Sequence, residues 1–199
     1  IVKMKKYVTA DYQTGWNMEK SEVSLPISQM VYSEAVVDQL TREGQLLETE
    51  LTAVIGCGGT GKLAEWGSMD FRKKAVDVNA DGYAKIVKIG PFVYGGLVHS
   101  LDETGKVVGV KDSEIQESYA IRQLTDSLAK VGVKPEEVVK FKGYYTQEFG
   151  PLYGETETPL YEKVYKPIKP LYTGVYVSSV GKEEEIFTME VMAVKGCCD

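Results

Sequence analysis

The stretch GCGGTGK at residues 56–62 carries the most explicit chemical pattern in the chain. Gly56, Gly58 and Gly61 fit GxGxxG, and Gly56, Gly61 and Lys62 fit GxxxxGK. Either pattern sets backbone amides around a phosphate where a strand gives way to a helix in a parallel sheet. Leu63 stands where a phosphate loop needs the Ser or Thr that ligates magnesium, and Trp66, Gly67 and Ser68 follow before a helix can develop. No series of βα units surrounds the run. It is read as a flexible glycine connection that binds no nucleotide.

The other candidates are few. His99 is the only histidine, and general acid–base chemistry would favour it, but it sits at the end of an apolar run and reads as structural. Cys57, Cys197 and Cys198 give no disulfide framework, since the number is odd and adjacent cysteines pair only with strain. With one histidine beside them they make a poor zinc set, so no metal and no cofactor is expected. Gly95-Gly96 interrupts an apolar strand-like run, which marks a bulge or a close approach, and reads as a wall of a site. Glu190 lies in an apolar strand on the side of Thr188 and Met192, where a carboxylate needs a partner.

These residues are positioned by a hairpin. Tyr83 to Ile89 and Phe92 to His99 flank a Gly90-Pro91 turn, and this hairpin is expected at the centre of a sheet. Before it, Met69 to Val78 reads as a strand and Asn79 to Gly82 as a turn. After it come a DETG turn, a short strand over Lys106 to Val110, and a helix capped by Asp112 or Ser113. Gln116 completes a capping-box pattern from Ser113, Ile121, Leu124, Leu128 and Val131 form the helix stripe, and Gly132 ends it. Val138 to Thr146 reads as a strand, Thr158-Pro159 starts a second helix, and Leu171 to Ser178 and Glu185 to Val194 read as strands. Residues 1–68 are harder to place. Met4 to Tyr12 and Gln45 to Ile55 read as strands, and Ser33 to Arg42 as a helix with Ser33 as its N-cap.

The 199 residues allow one large domain or one domain plus an extension, and the chain is divided here as 1–68 and 69–199. The net charge of −6 supplies no overall attraction to phosphates, so no nucleic-acid partner is expected. Arg72-Lys73-Lys74 and the pair Lys140 and Lys142 read as solvated strand faces. No apolar run reaches the ~18–20 residues of a membrane span, so no membrane partner is expected. The cysteine usage and the polar start fit a cytoplasmic location.

From about Met69 onward, the order strand, hairpin, strand, helix, strand, helix, strand, strand resembles the Rid family, also called YjgF or L-PSP proteins. The resemblance rests on GYAKIVKIGPFVYGG, SYAIRQLTDSLAKVGVKPEEVVKFKGYYT, YEKVYKPIKPLYTGVYV and EIFTMEVMAV. It implies an α+β, chorismate-mutase-like fold, a mixed sheet with two helices on one face. It also implies a homotrimer with clefts between subunits that take a small-molecule ligand. Family members hydrolyse enamines and imines, and some are endoribonucleases. By resemblance, Tyr83 is the site tyrosine of the first hairpin strand. Gly95 and Gly96 stand in the family's Ser-Gly-Gln stretch, and Glu190 is the carboxylate that orients a water. The family's carboxylate-binding arginine is replaced by Tyr172, which brings one hydroxyl and no charge. Three readings follow: a hydrolase or deaminase without the usual clamp, a non-catalytic trimeric metabolite-binding or assembly protein, and an L-PSP-type endoribonuclease.

Overall fold

The computed structural model describes residues 3–9, 30–38, 40, 45, 47–53, 73–78, 84–149 and 159–197. Within them the strands are β1 (Lys3–Thr9), β2 (Val31–Val37), β3 (Leu47–Thr52), β4 (Lys73–Val78), β5 (Ala84–Ile89), β6 (Phe92–Gly95), β7 (Val98–His99), β8 (Val138–Tyr145), β9 (Leu171–Tyr176) and β10 (Phe187–Val194). The helices are α1 (Ser113–Lys130) and α2 (Pro159–Val164). The glycine run at 56–62, Cys57, Cys198, the turn at 79–82, Tyr83 and Thr158 lie outside the described residues.

Gly90 and Pro91 close the central hairpin. Ile89 faces Phe92 across the two-residue turn, and Gly90 supplies the positive φ (56°) that the turn requires. The main sheet runs β4-β5-β6-β10-β8-β9, with β7 also paired to β10. β8 and β9 are parallel and the other pairs antiparallel, so the sheet is mixed. α1 and α2 cover one face. Ile121, Leu124 and Leu128 of α1 and Tyr165, just beyond α2, pack there against Ile86, Val93, Phe141, Phe187, Met189 and Val191. This is the α+β, chorismate-mutase-like architecture expected, with two helices on one face.

α1 starts as its sequence dictates, with one change of role. Asp112 is the N-cap, and its Oδ1 accepts from Ile115 N at 2.9 Å. Gln116 does not close a capping box with Ser113. It is fully buried and ties the helix to neighbouring loops, donating to Gly109 O (2.8 Å) and Glu184 O (3.0 Å) and accepting from Ile186 N (3.0 Å). Gly132, at φ 70°, ends the helix. Lys106 to Val110 is not a strand. Among the described residues its one ladder contact is a bridge between Leu101 and Val107, and Gly109 turns the chain at φ 70°.

Residues 33–37 form a strand, not the start of the expected helix. Val31, Ser33 and Ala35 are buried and alternate with half-buried Tyr32 and Glu34, a period of two. The apolar cluster Ala35, Val36, Val37 fits either period over so short a run, and two β-branched residues in it favour the strand. β2 lies parallel to β1, and β3 lies antiparallel on the other side of β1. This second sheet packs on the face of the main sheet that the helices leave bare. Val31 packs with Ala84, Val87 and Ile89, and Ala35 with Tyr144, Val177 and Val180. Backbone bonds join the two layers at Ala84 N to Met30 O (3.1 Å) and Ser178 N to Val36 O (2.7 Å).

Candidate functional site

Alternation along β10 decides where Glu190 goes. Phe187, Met189, Val191 and Ala193 join the helix-side core, so Thr188, Glu190 and Met192 face the small sheet. There Glu190 meets two lysines and a serine from β1 and β2. Oε1 accepts from Lys5 Nζ at 2.6 Å, and Oε2 accepts from Lys3 Nζ at 2.6 Å and Ser33 Oγ at 3.0 Å. The three ionic side chains are 6 % (Glu190), 8 % (Lys5) and 13 % (Lys3) exposed. The partner that a buried carboxylate requires is thus supplied by residues outside the family resemblance.

One carboxylate cannot fully compensate two buried ammoniums, and the proton affinities divide accordingly. Burial pushes Glu190 up, but Lys3 and Lys5 outweigh it and hold the carboxyl below its ordinary range. Burial pulls Lys5 down, but the charge and hydrogen bond of Glu190 outweigh it and hold that ammonium above its usual value. For Lys3 burial wins over Glu190, the like charge of Lys5 adds to it, and the pKa falls. Tyr144 packs beside this cluster. Burial first, then the nearby Glu190 charge, pushes its phenol far above its usual range.

A cleft of about 160 Å³ opens beside the cluster. Lys3, Lys5, Lys140, Lys142, Glu50 and Glu190 give it four cations and two carboxylates, and Tyr94, Thr52, Val191 and Met192 complete its lining. Lys140 and Lys142 are therefore not a solvated face. Both are half-buried between the sheets, and Lys142 Nζ donates to Tyr7 Oη at 2.7 Å.

The expected site residues divide between the two faces of the main sheet. Gly96 shares the Glu190 face. A Cβ there would stand 2.9 Å from Tyr32 O, so β2 occupies the space in front of it. Gly95 faces the other way, where a Cβ would stand 2.6 Å from Val191 Cγ1. Tyr172 is also on the helix side. It aligns with Phe141 and Val191, shares a hydroxyl hydrogen bond with Tyr145, and meets the Tyr161 ring edge-on at 6.0 Å. Thr173, in register with Lys142 and Glu190, is the β9 residue on the site face. Tyr83 lies outside the described residues.

His99 is taken up elsewhere. Its Nδ1 is 3.2 Å from Glu185 Oε2, a buried carboxylate that also accepts from Ser100 N (3.0 Å) and Lys182 N (3.2 Å). That arrangement pins the loop before β10. Among the described residues no group of three His, Cys, Asp or Glu stands close enough to hold a metal, and no helix is long and apolar enough to cross a membrane. Lys3, Lys5 and Ser33 are the site residues that sequence reasoning missed. The available signal was Lys3 and Lys5 alternating with Met4 along one strand, two charges on one face that call for a buried counter-charge.

No protein-family model and no curated protein matches this chain. Its fold is that of YjgF/Rid structures. A Yersinia pestis protein of unknown function in the conserved Rid family superposes with a TM-score of 0.54 at 19% identity, over 61% of this chain and 98% of that one. A Mycobacterium tuberculosis member of the YjgF/YER057c/UK114 family gives 0.51 at 20%, over 61% and 98%. Escherichia coli TdcF, with serine bound, gives 0.52 at 14%, over 64% and 98%. These relatives are spanned almost whole, and more than a third of this chain lies beyond them.

Proposed function

We propose that this chain is a divergent Rid-family protein that binds a small metabolite and does not hydrolyse imines. One observation carries the reading: the carboxylate that would orient a water is held by Lys3, Lys5 and Ser33 of the same chain. A general base needs a free lone pair within reach of the water it activates. Here three of the carboxylate's roughly four acceptor sites are taken, by Lys5 on Oε1 and by Lys3 and Ser33 on Oε2, and the two ammoniums depress the proton affinity of Glu190, which weakens it as a base. The small sheet also fills the space before Gly96, where the resemblance puts the cleft between subunits. Tyr172, in the place of the carboxylate-binding arginine, faces the helices. The serine seen in the TdcF structure supports the binding half of the reading, because it is a small carboxylate-bearing molecule on this fold.

The expectation of a homotrimer drew part of its force from a sheet face left uncovered by the two helices. β1–β3 cover that face, so a trimer built through it would have to displace them. We take the chain to be self-sufficient there. The test of the functional reading is to generate 2-iminopropanoate in situ with an amino-acid oxidase and follow its decay. Decay at the uncatalysed rate is expected. Saturable acceleration that disappears in Glu190→Gln would overturn the reading.

A further inference from the structure

The three strands of the small sheet repeat the last three strands of the main one. Val2, Lys3, Lys5, Tyr7 and Thr9 recur in the same order and spacing as Val139, Lys140, Lys142, Tyr144 and Thr146. Glu50, Ala53, Val54, Gly56 and Cys57 recur as Glu190, Ala193, Val194, Gly196 and Cys197. The topology agrees. In each sheet the lysine-bearing strand is central, parallel to the next strand and antiparallel to the third. The register agrees too: Lys5 lies between Ser33 and Glu50 as Lys142 lies between Thr173 and Glu190. β1, β2 and β3 thus match β8, β9 and β10, and the two sets of strands lie face to face.

Contacts between the copies are reciprocal, as at an isologous interface. Lys142 Nζ stands 5.3 Å from the Tyr7 ring and Lys5 Nζ 5.9 Å from the Tyr144 ring, and these are equivalent pairs. Asp38 accepts from Ser178, its own equivalent. The cleft is lined by equivalents as well: Lys3 and Lys140, Lys5 and Lys142, Glu50 and Glu190, Thr52 and Met192.

Symmetry breaks at the carboxylates. Glu190 closes the half of the cleft at Lys3 and Lys5. In the equivalent half, Glu50 is exposed and its charge is felt by Lys3 and Lys5, and among the described residues neither Glu50 nor Lys140 has a partner within ion-pair distance. We propose that a small anion, carboxylate or phosphate, binds at Lys140 and Lys142 in the position that Glu190 holds at Lys3 and Lys5. The inference deepens the binding reading above and rests on it. Lysines present compact charges with rotatable donors, which suits either anion, and the volume limits the ligand to a few heavy atoms.

The test is calorimetric titration of the whole chain with succinate and, separately, with inorganic phosphate. Saturable binding of at least one is expected, weakening with added salt. Lys140→Ala should weaken it roughly tenfold or more, the worth of a charge-assisted hydrogen bond. Glu50→Gln should tighten it by removing an opposing charge, and Lys106→Ala, on an exposed turn, should leave it unchanged. Succinate alone binding identifies a carboxylate ligand, and phosphate alone a phosphate. Lys140 is half-buried and has no ion-pair partner among the described residues, so its variant should keep the wild-type urea midpoint. Binding of neither anion, or binding indifferent to Lys140→Ala and Glu50→Gln, overturns the site. The imine assay is read independently, so unaccelerated decay there leaves the non-hydrolytic reading standing even if this site fails.

Discussion

Lys5 Nζ lies 2.6 Å from Glu190 Oε1, between side chains 8 % and 6 % exposed, and the two residues come from different sheets. The contact is therefore part of how one sheet is held on the other. Breaking a buried ion pair from one side costs about 3–5 kcal/mol, because the remaining charge is left without compensation. Glu190→Ala, which strands two ammoniums, is expected in that range by urea denaturation. Lys3→Met, Lys5→Met and Glu190→Leu combined should recover most of the loss, since an apolar replacement of a buried ionic group is often neutral. A triple variant as unstable as Glu190→Ala would mean that the side chains matter for shape and not charge.

The same cluster sets an acid limb. The folded-state pKa of Glu190 is depressed, so its contribution is fully present above the ordinary carboxylate value of about 4.5 and is lost as pH falls through the lower folded value. Stability should decline in that window, and Glu190→Gln should flatten the decline. At alkaline pH the two lysines oppose each other. The raised pKa of Lys5 means stability lost as pH rises through its folded value, while the lowered pKa of Lys3 means stability gained between its folded value and 10.5. Midpoints measured across both limbs in wild type and Glu190→Gln check the signs.

Local patterns made the main sheet readable. Gly90-Pro91 fixed a turn, Asp112 a helix start and Gly132 a helix end, each through backbone chemistry that depends on few neighbours. β2 was not readable in that way, because Ala35, Val36 and Val37 satisfy a helical stripe and a strand equally over one turn. Its state was decided by β1 and by the sheet it covers. The site divided for a related reason. Glu190 announced itself as a buried charge needing a partner, but the partner was distant in sequence. Tyr172 and Glu190 were placed together by resemblance, whereas the strict alternation of β9 and β10 puts them on opposite faces. The repeat that links Lys3 with Lys140 was present in the sequence and is short enough to be passed over without the registers.

Covering the second face has a consequence for assembly. Sedimentation at micromolar concentration should give a monomer. The double variant Lys3→Glu, Lys5→Glu sets three carboxylates against one another and should release the small sheet, giving either association or loss of folding. A wild-type trimer that persists with the Lys–Glu cluster intact would place its interface on another surface.

Two adjacent glycines should respond differently to alanine. At Gly95 the new methyl meets Val191 Cγ1 inside the helix-side core, a side chain that can shift, with an expected cost of about 1–3 kcal/mol. At Gly96 it meets the Tyr32 backbone carbonyl, which cannot rotate away, so the two sheets must part. Gly96→Ala should therefore weaken the acid limb ascribed to Glu190 as well as stability, while Gly95→Ala should keep that limb. Equal pH profiles for both variants would show that the layers separate without disturbing the cluster.

The sharpest separation of fold from chemistry comes from Tyr172→Arg, which restores the residue type that the family uses to grip a carboxylate. If position 172 faced the cleft, the change would add a bidentate clamp worth roughly 1.5–3 kcal/mol and raise imine hydrolysis by about ten- to a hundredfold. In this fold Tyr172 packs with Tyr161 and hydrogen-bonds Tyr145 beneath the helices. A guanidinium there meets aromatic rings and loses water without gaining a carboxylate. The expected result is a lower urea midpoint and no hydrolysis. Thr173→Arg is the informative companion, because that side chain lies in register with Lys142 and Glu190 on the site face. It adds a fifth cation next to the cleft and should strengthen anion binding while leaving imine decay at the uncatalysed rate. A gain of hydrolysis in Tyr172→Arg, with stability unchanged, would require β9 to present its other face to the small sheet.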